Sequence, residues 1–159
     1  MSNGKLTTVA LREAALKIAE QSGRPLRRDA EHKREQLYLD NDHKKVRLRT
    51  SNDRVLTVSA SSPVPEEARL DIEGCDALLI AMPTERRGTD RVEAYWLPVA
   101  IAIQEVKRAH RIWLDSDPNT KKHNKTFSIW FDEAFFESEM FCEKWSEYRL
   151  PITLNLKSG

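Results

Sequence analysis

Between Asp71 and Leu114 the chain reads as two strands followed by a long helix, and this order restricts the fold more than any other stretch. Cys75-Asp76-Ala77-Leu78-Leu79-Ile80-Ala81-Met82 is an apolar run of strand length, as a buried strand should be. Thr84 to Asp90 is a polar connection long enough for a loose hairpin, and Arg91-Val92-Glu93-Ala94-Tyr95-Trp96-Leu97 is the second strand. Pro98 suits the first residue of a helix, where its missing N–H costs no hydrogen bond. Val99, Ile103, Val106, His110 and Trp113 then recur at helical spacing in a stripe that reaches Leu114. The rival reading makes Val99 to Ile103 a buried strand and lets Glu105 and Lys107 share a cleft, as a metal-dependent nuclease would need. The length of the stripe favours the helix, on which residues i and i+2 do not face each other.

The flanks supply further elements. Thr7 or Thr8 caps a first helix running to about Gln21, with Leu11, Ala15 and Ile18 on one face and Gly23 and Pro25 as its stop. Leu37-Tyr38-Leu39 reads as a short strand or helical turn. Lys45-Val46-Arg47-Leu48-Arg49-Thr50 alternates strictly, and Ser51 to Arg54 supplies turn residues. Val55 to Ala60 is then expected to return antiparallel, closing a hairpin. Thr126 to Phe131 alternates as another strand, and Asp132 caps a last helix from Glu133 to about Tyr148. The expected fold is α+β: a mixed sheet of about five strands with an antiparallel hairpin, flanked by three helices.

A length of 159 residues suits a single domain, residues 1–159, with one substantial core. The net charge of +1 gives no global argument for a polyanionic partner, but its distribution is uneven. Arg24 to Arg54 holds ten Lys/Arg against six Asp/Glu, and Val106 to Lys125 six against two. Phe131 to Leu150 reverses this with two against six, so the molecule reads as dipolar. Cys75 and Cys142 are too few for a secreted disulfide framework, and the four histidines show no metal-ligand spacing with them. No apolar leader and no run long enough to span a bilayer are visible, so a cytoplasmic protein without a membrane partner is expected.

Three groups of residues are candidates for function. Asp76 and Glu93 stand near the starts of consecutive strands, and two carboxylates that approached across a sheet could hold Mg2+ with substrate phosphate completing its shell. Against this, acids at strand ends are commonly just solvated. The second group is a basic row, Lys45, Arg47, Arg49 and Arg54, to which Arg24, Arg27 and Arg28 are candidate additions; a second cluster, Lys107, Arg108, Arg111, Lys121, Lys122 and Lys125, adds to it only if the fold brings the two together. Alternate cations on a strand are spaced about 7 Å apart, close to the phosphate spacing of a nucleic-acid strand. The plainer account is a charged strand face that discourages edge aggregation. The third group is the acidic, aromatic segment 133–148, whose Phe136, Met140 and Trp145 fit a core better than a docking face for a protein partner. No nucleophile elbow and no glycine-rich phosphate loop are present.

Val46-Arg47-Leu48-Arg49-Thr50-Ser51, Asp76-Ala77-Leu78-Leu79-Ile80 and Val92-Glu93-Ala94-Tyr95-Trp96-Leu97-Pro98 together resemble the restriction-endonuclease-like proteins of the PD-(D/E)xK group, which includes small bacterial and mobile-element proteins. The resemblance covers about the middle third of the chain and lies in element order. It implies that Asp76 is the metal-binding acid and Glu93 the first residue of the (D/E)xK motif. Tyr95 stands where that motif has lysine. A relative that binds nucleic acid through its basic hairpin without cutting it is therefore expected. The alternative is an active Mg2+-dependent nuclease using Asp76, Glu93 and a lysine from elsewhere, Lys107.

Overall fold

The computed structural model describes residues 6–29, 36–88, 90–116, 123–131 and 143–156. Helix α1 (Thr8–Gln21) begins where the Thr7 hydroxyl accepts the Ala10 N–H at 3.0 Å. Its end is a Schellman motif: Gly23 takes φ +84°, its N–H reaches the Glu20 carbonyl, and Arg24 N–H reaches that of Ala19. Among the described residues, eight strands follow the helix: β1 (Arg27–Arg28), β2 (Leu37–Leu39), β3 (Lys45–Thr50), β4 (Val55–Ser59), β5 (Ala77–Pro83), β6 (Arg91–Pro98), β7 (Thr126–Trp130) and β8 (Leu154–Asn155). The second helix, α2 (Val99–Ser116), lies between β6 and β7.

Six strands form one mixed sheet in the order β1-β2-β3-β5-β6-β8, and β4 pairs with β7 in a second, two-stranded sheet. All seven residues of β5 are buried, so β5 occupies the interior of the sheet and needs a partner on each edge. β6 supplies one antiparallel edge, and β3 supplies the other in parallel, with Val46 opposite Ala77 and Thr50 opposite Ala81. This overturns the expected hairpin. β3 pairs with β2 and β5, whereas β4 leaves the sheet at Ser51–Arg54 and joins β7. Arg54 turns the chain there with φ +60°, a left-handed conformation uncommon outside glycine, asparagine and aspartate.

Side-chain alternation then sorts the core into two halves. Val46, Leu48, Leu79, Ala81, Val92 and Ala94 pack against Leu11, Ala15 and Ile18 of α1. Leu78, Ile80, Met82, Tyr95 and Leu97 face the opposite way, against Leu56 and Val58 of β4, Phe127 and Ile129 of β7, and Ala102, Val106 and Ala109 of α2. The fold is α+β in three layers. Two α-helices stand among the described residues where three were expected; residues 132–142 of the third lie outside them, and Glu143–Tyr148 is a 3-10 helix. The 98–114 segment is helical apart from Pro98, which ends β6 instead of starting α2. No helix among the described residues is long and apolar enough to cross a membrane.

Candidate nucleic-acid interface and a buried polar cluster

The sheet register separates the two carboxylates assigned to a metal. Ala77 faces Pro98 and Met82 faces Glu93, so Asp76 and Glu93 lie at opposite ends of β5, about 20 Å apart at a strand rise of some 3.3 Å per residue. Asp76 extends the β3–β5 ladder. Its backbone N–H donates to the Lys45 carbonyl, and its Oδ2 accepts the Lys45 N–H, both at 2.8 Å. Lys107 lies on α2, where its charge acts on Glu66. Glu105, two residues earlier, is buried and accepts from Arg108 Nε at 3.0 Å. Asp76, Glu93 and Lys107 therefore form no common centre, and no cluster of three or more His, Cys, Asp or Glu able to hold a metal occurs among the described residues.

The basic row also changes shape. Arg54 is not part of an exposed face: it is 6% accessible, and its Nη1 donates to Glu93 Oε2 and the Pro83 carbonyl, both at 2.8 Å. Lys45, Arg47 and Arg49 do share one face of β3, the face opposite α1, because Val46 and Leu48 turn towards α1. Lys45 is exposed, while Arg47 and Arg49 are half-buried. Arg49 is held by Asp71 at 2.9 Å and donates to the Thr57 carbonyl. The register adds a residue to this face. Arg27 is opposite Leu39, and Leu39 is opposite Lys45, so Arg27 stands in line with Lys45 two strands away, about 10 Å off. Arg27 is exposed and its Nη2 lies 2.7 Å from His43 Nδ1. Arg24 instead sits over the Trp96 ring, 4.6 Å from its centroid. Arg111, on α2, is paired with Glu66 and Asp115, and Lys121 and Lys122 lie outside the described residues.

The cluster that the sequence reading missed is built around Glu93. Along β6, Glu93, Tyr95 and Leu97 point to the β4–β7 layer, so a carboxylate is carried into an apolar interior. It is satisfied there. Oε2 accepts from Arg54 and from the Tyr95 hydroxyl at 2.7 Å, and Arg54 Nη2 also lies 3.4 Å from that hydroxyl. Burial opposes the charge on Arg54, but the bonds to Glu93 and Tyr95 outweigh it and hold the guanidinium above its ordinary range. Burial, reinforced by Glu93, pushes the Tyr95 phenol up to about 12. Phe131 and Trp145 close the cluster from outside, with ring centroids 4.9 Å from Tyr95 to Phe131 and 5.0 Å from Phe131 to Trp145. Trp145 is thus a core residue, as the core account of segment 133–148 expects.

No family model matches the chain, and neither a curated protein nor a solved structure matches it.

Proposed function

We propose that this protein is a nucleic-acid-associated module that binds, without cutting, through the sheet face carrying Arg27, Lys45 and Arg47. The observation that supports this reading is their alignment: cations at i and i+2 on β3 and a third in register across β2. Such a row matches a phosphate chain in spacing and sign. Arg49 extends the row, with Asp71 drawing off part of its charge. Arg54 has no place in this face, and the separation of Asp76 from Glu93 leaves Mg2+-dependent cleavage without a paired-carboxylate site among the described residues. The proposal therefore keeps the binding part of the endonuclease-like resemblance and drops its chemistry.

The test uses fluorescence anisotropy with a labelled single-stranded and a labelled duplex oligonucleotide. Binding to either is expected, weakened roughly tenfold or more when Arg27→Gln and Lys45→Gln are combined, since each removes a charge-assisted contact. Both residues are exposed, so the fold should survive the change. The oligonucleotide should remain intact after incubation with Mg2+. Equal binding by the double variant would contradict the assignment.

A further inference from the structure

The edge of β6 is covered in two pieces that do not share a register. Tyr95 bridges to Arg149, whereas Val92 and Arg91 pair with Leu154 and Asn155. Two residues of β6, Glu93 and Ala94, thus face four of the tail, Leu150 to Thr153. This is a bulge two residues deep, and Pro151 within it has no N–H to return to a ladder. Bulges of this kind re-aim side chains and often adjoin functional sites.

At this bulge a polar cleft of about 500 Å3 opens, lined by Thr84, Arg91, Glu93, Ser146, Arg149 and Thr153 among others. Arg91 and Glu93 are two apart on β6 and so project from one sheet face, the face that also carries Tyr95. Glu93 offers the cleft one oxygen. Oε2 is occupied by Arg54 and Tyr95, whereas Oε1 has no hydrogen-bond donor among the described residues. Its nearest cation, Arg149 Nη1, stands 3.8 Å away, an ion pair too long to be a hydrogen bond. The Glu93 side chain is only 9% exposed and lines the cleft, and its bonds through Oε2 to Arg54 and Tyr95 hold the carboxylate in place there.

We propose that this cleft binds a small oxyanion that also carries a hydrogen-bond donor, with its anionic oxygens on Arg91 and Arg149 and its donor on Glu93 Oε1. The charges fit this division. Arg54 already offsets the charge of Glu93 from below, so Arg91 and Arg149 give the cleft wall a net positive charge. Guanidinium forks suit carboxylate and phosphate alike, so both sources share the chemistry. The site lies at the Pro83 end of β5, remote from Lys45 at the Ala77 end, and is independent of the basic face.

The experiment is an NMR titration of the 15N-labelled full chain at fixed ionic strength with glycolate, acetate and inorganic phosphate. Glycolate and monohydrogen phosphate each carry an O–H beside the anion; acetate does not. Saturable shifts of the Thr84 and Thr153 amides are expected with glycolate, phosphate or both, and whichever binds names the source. Acetate should bind roughly tenfold more weakly than the better of the two, and Arg91→Gln with Arg149→Gln should weaken binding by a further factor of about ten or more. Both arginines are exposed, and an unchanged dispersed spectrum will report that the variant is folded. Absence of saturable shifts with all three anions, acetate binding as well as glycolate and phosphate, or binding undiminished in the double variant would overturn the proposal.

Discussion

Arg54 holds together what three elements contribute: the turn after β3, the last residue of β5, and the inward acid and phenol of β6. Its side chain meets Pro83, Glu93 and Tyr95, and its carbonyl accepts the Phe131 N–H at the end of β7. Removing one partner of a buried ion pair leaves the other charge uncompensated, so Arg54→Met should lower unfolding free energy by about 3–5 kcal/mol. Replacing Glu93 by Leu in the same chain should recover most of that loss, because an apolar pair avoids the desolvation cost. Urea denaturation of the two single variants and the double variant measures the coupling directly. Tyr95→Phe removes one of the two bonds to Oε2 and should cost less, about 1–2 kcal/mol. His110 offers a pH readout. It is 3% exposed and stacked 3.8 Å from Phe127, and burial lowers its pKa, against the opposing pull of the backbone at Pro63 and Asn124. With the folded pKa below the unfolded one, the unfolded chain takes up the proton first as pH falls. Stability should therefore drop from about pH 6.5 downwards until the folded histidine is also protonated. His110→Phe should flatten that part of the stability-against-pH curve measured by denaturant melts.

At the scale of elements, both described helices and the β5–β6 hairpin follow from the sequence, and the partners of β3 and β4 do not. The Thr7 cap, the Gly23 stop and the stripe of α2 are local signals, each written within a few residues of where it acts. Gly23→Ala tests this: at φ +84° an added Cβ meets no neighbouring atom, so only backbone strain should appear, about 1 kcal/mol of lost stability. Val46 and Leu48 were readable as core-facing by alternation, and the opposite face for Lys45, Arg47 and Arg49 came with them. Which strand lies beside β3 was not readable. The turn residues Ser51–Arg54 look like those of a hairpin, but the demand of fully buried β5 for two partners takes β3 into the central sheet. The same long-range pairing decides the chemistry. Asp76 and Glu93 are seventeen positions apart in a sequence that allows them to meet, and the antiparallel register of β5 and β6 places them at opposite ends. An acid and a phenol at i and i+2 within the apolar β6 run were the one local hint of a buried cluster; the arginine that completes it comes from a turn 39 residues earlier.

Across the whole molecule, charge is segregated by layer more than by chain position. Arg27 of β1 and the cations of β3 lie on the sheet face opposite α1, Arg111 is neutralised on α2, and Arg91 and Arg149 border a separate cleft. A chain with a net charge of +1 has no global attraction for polyanions, so any binding to nucleic acid must come from a local face and a small number of phosphate contacts. That number can be counted by salt. The most direct measurement is the affinity for a single-stranded oligonucleotide between low and physiological salt, for the native chain and for Arg27→Gln combined with Lys45→Gln. Three to four contacts predict a slope of log affinity against log salt of about −2 to −3, and loss of two contacts should reduce its magnitude by about 1.4. A slope near zero for the native chain, or the same slope in the variant, would contradict the basic face as the binding surface.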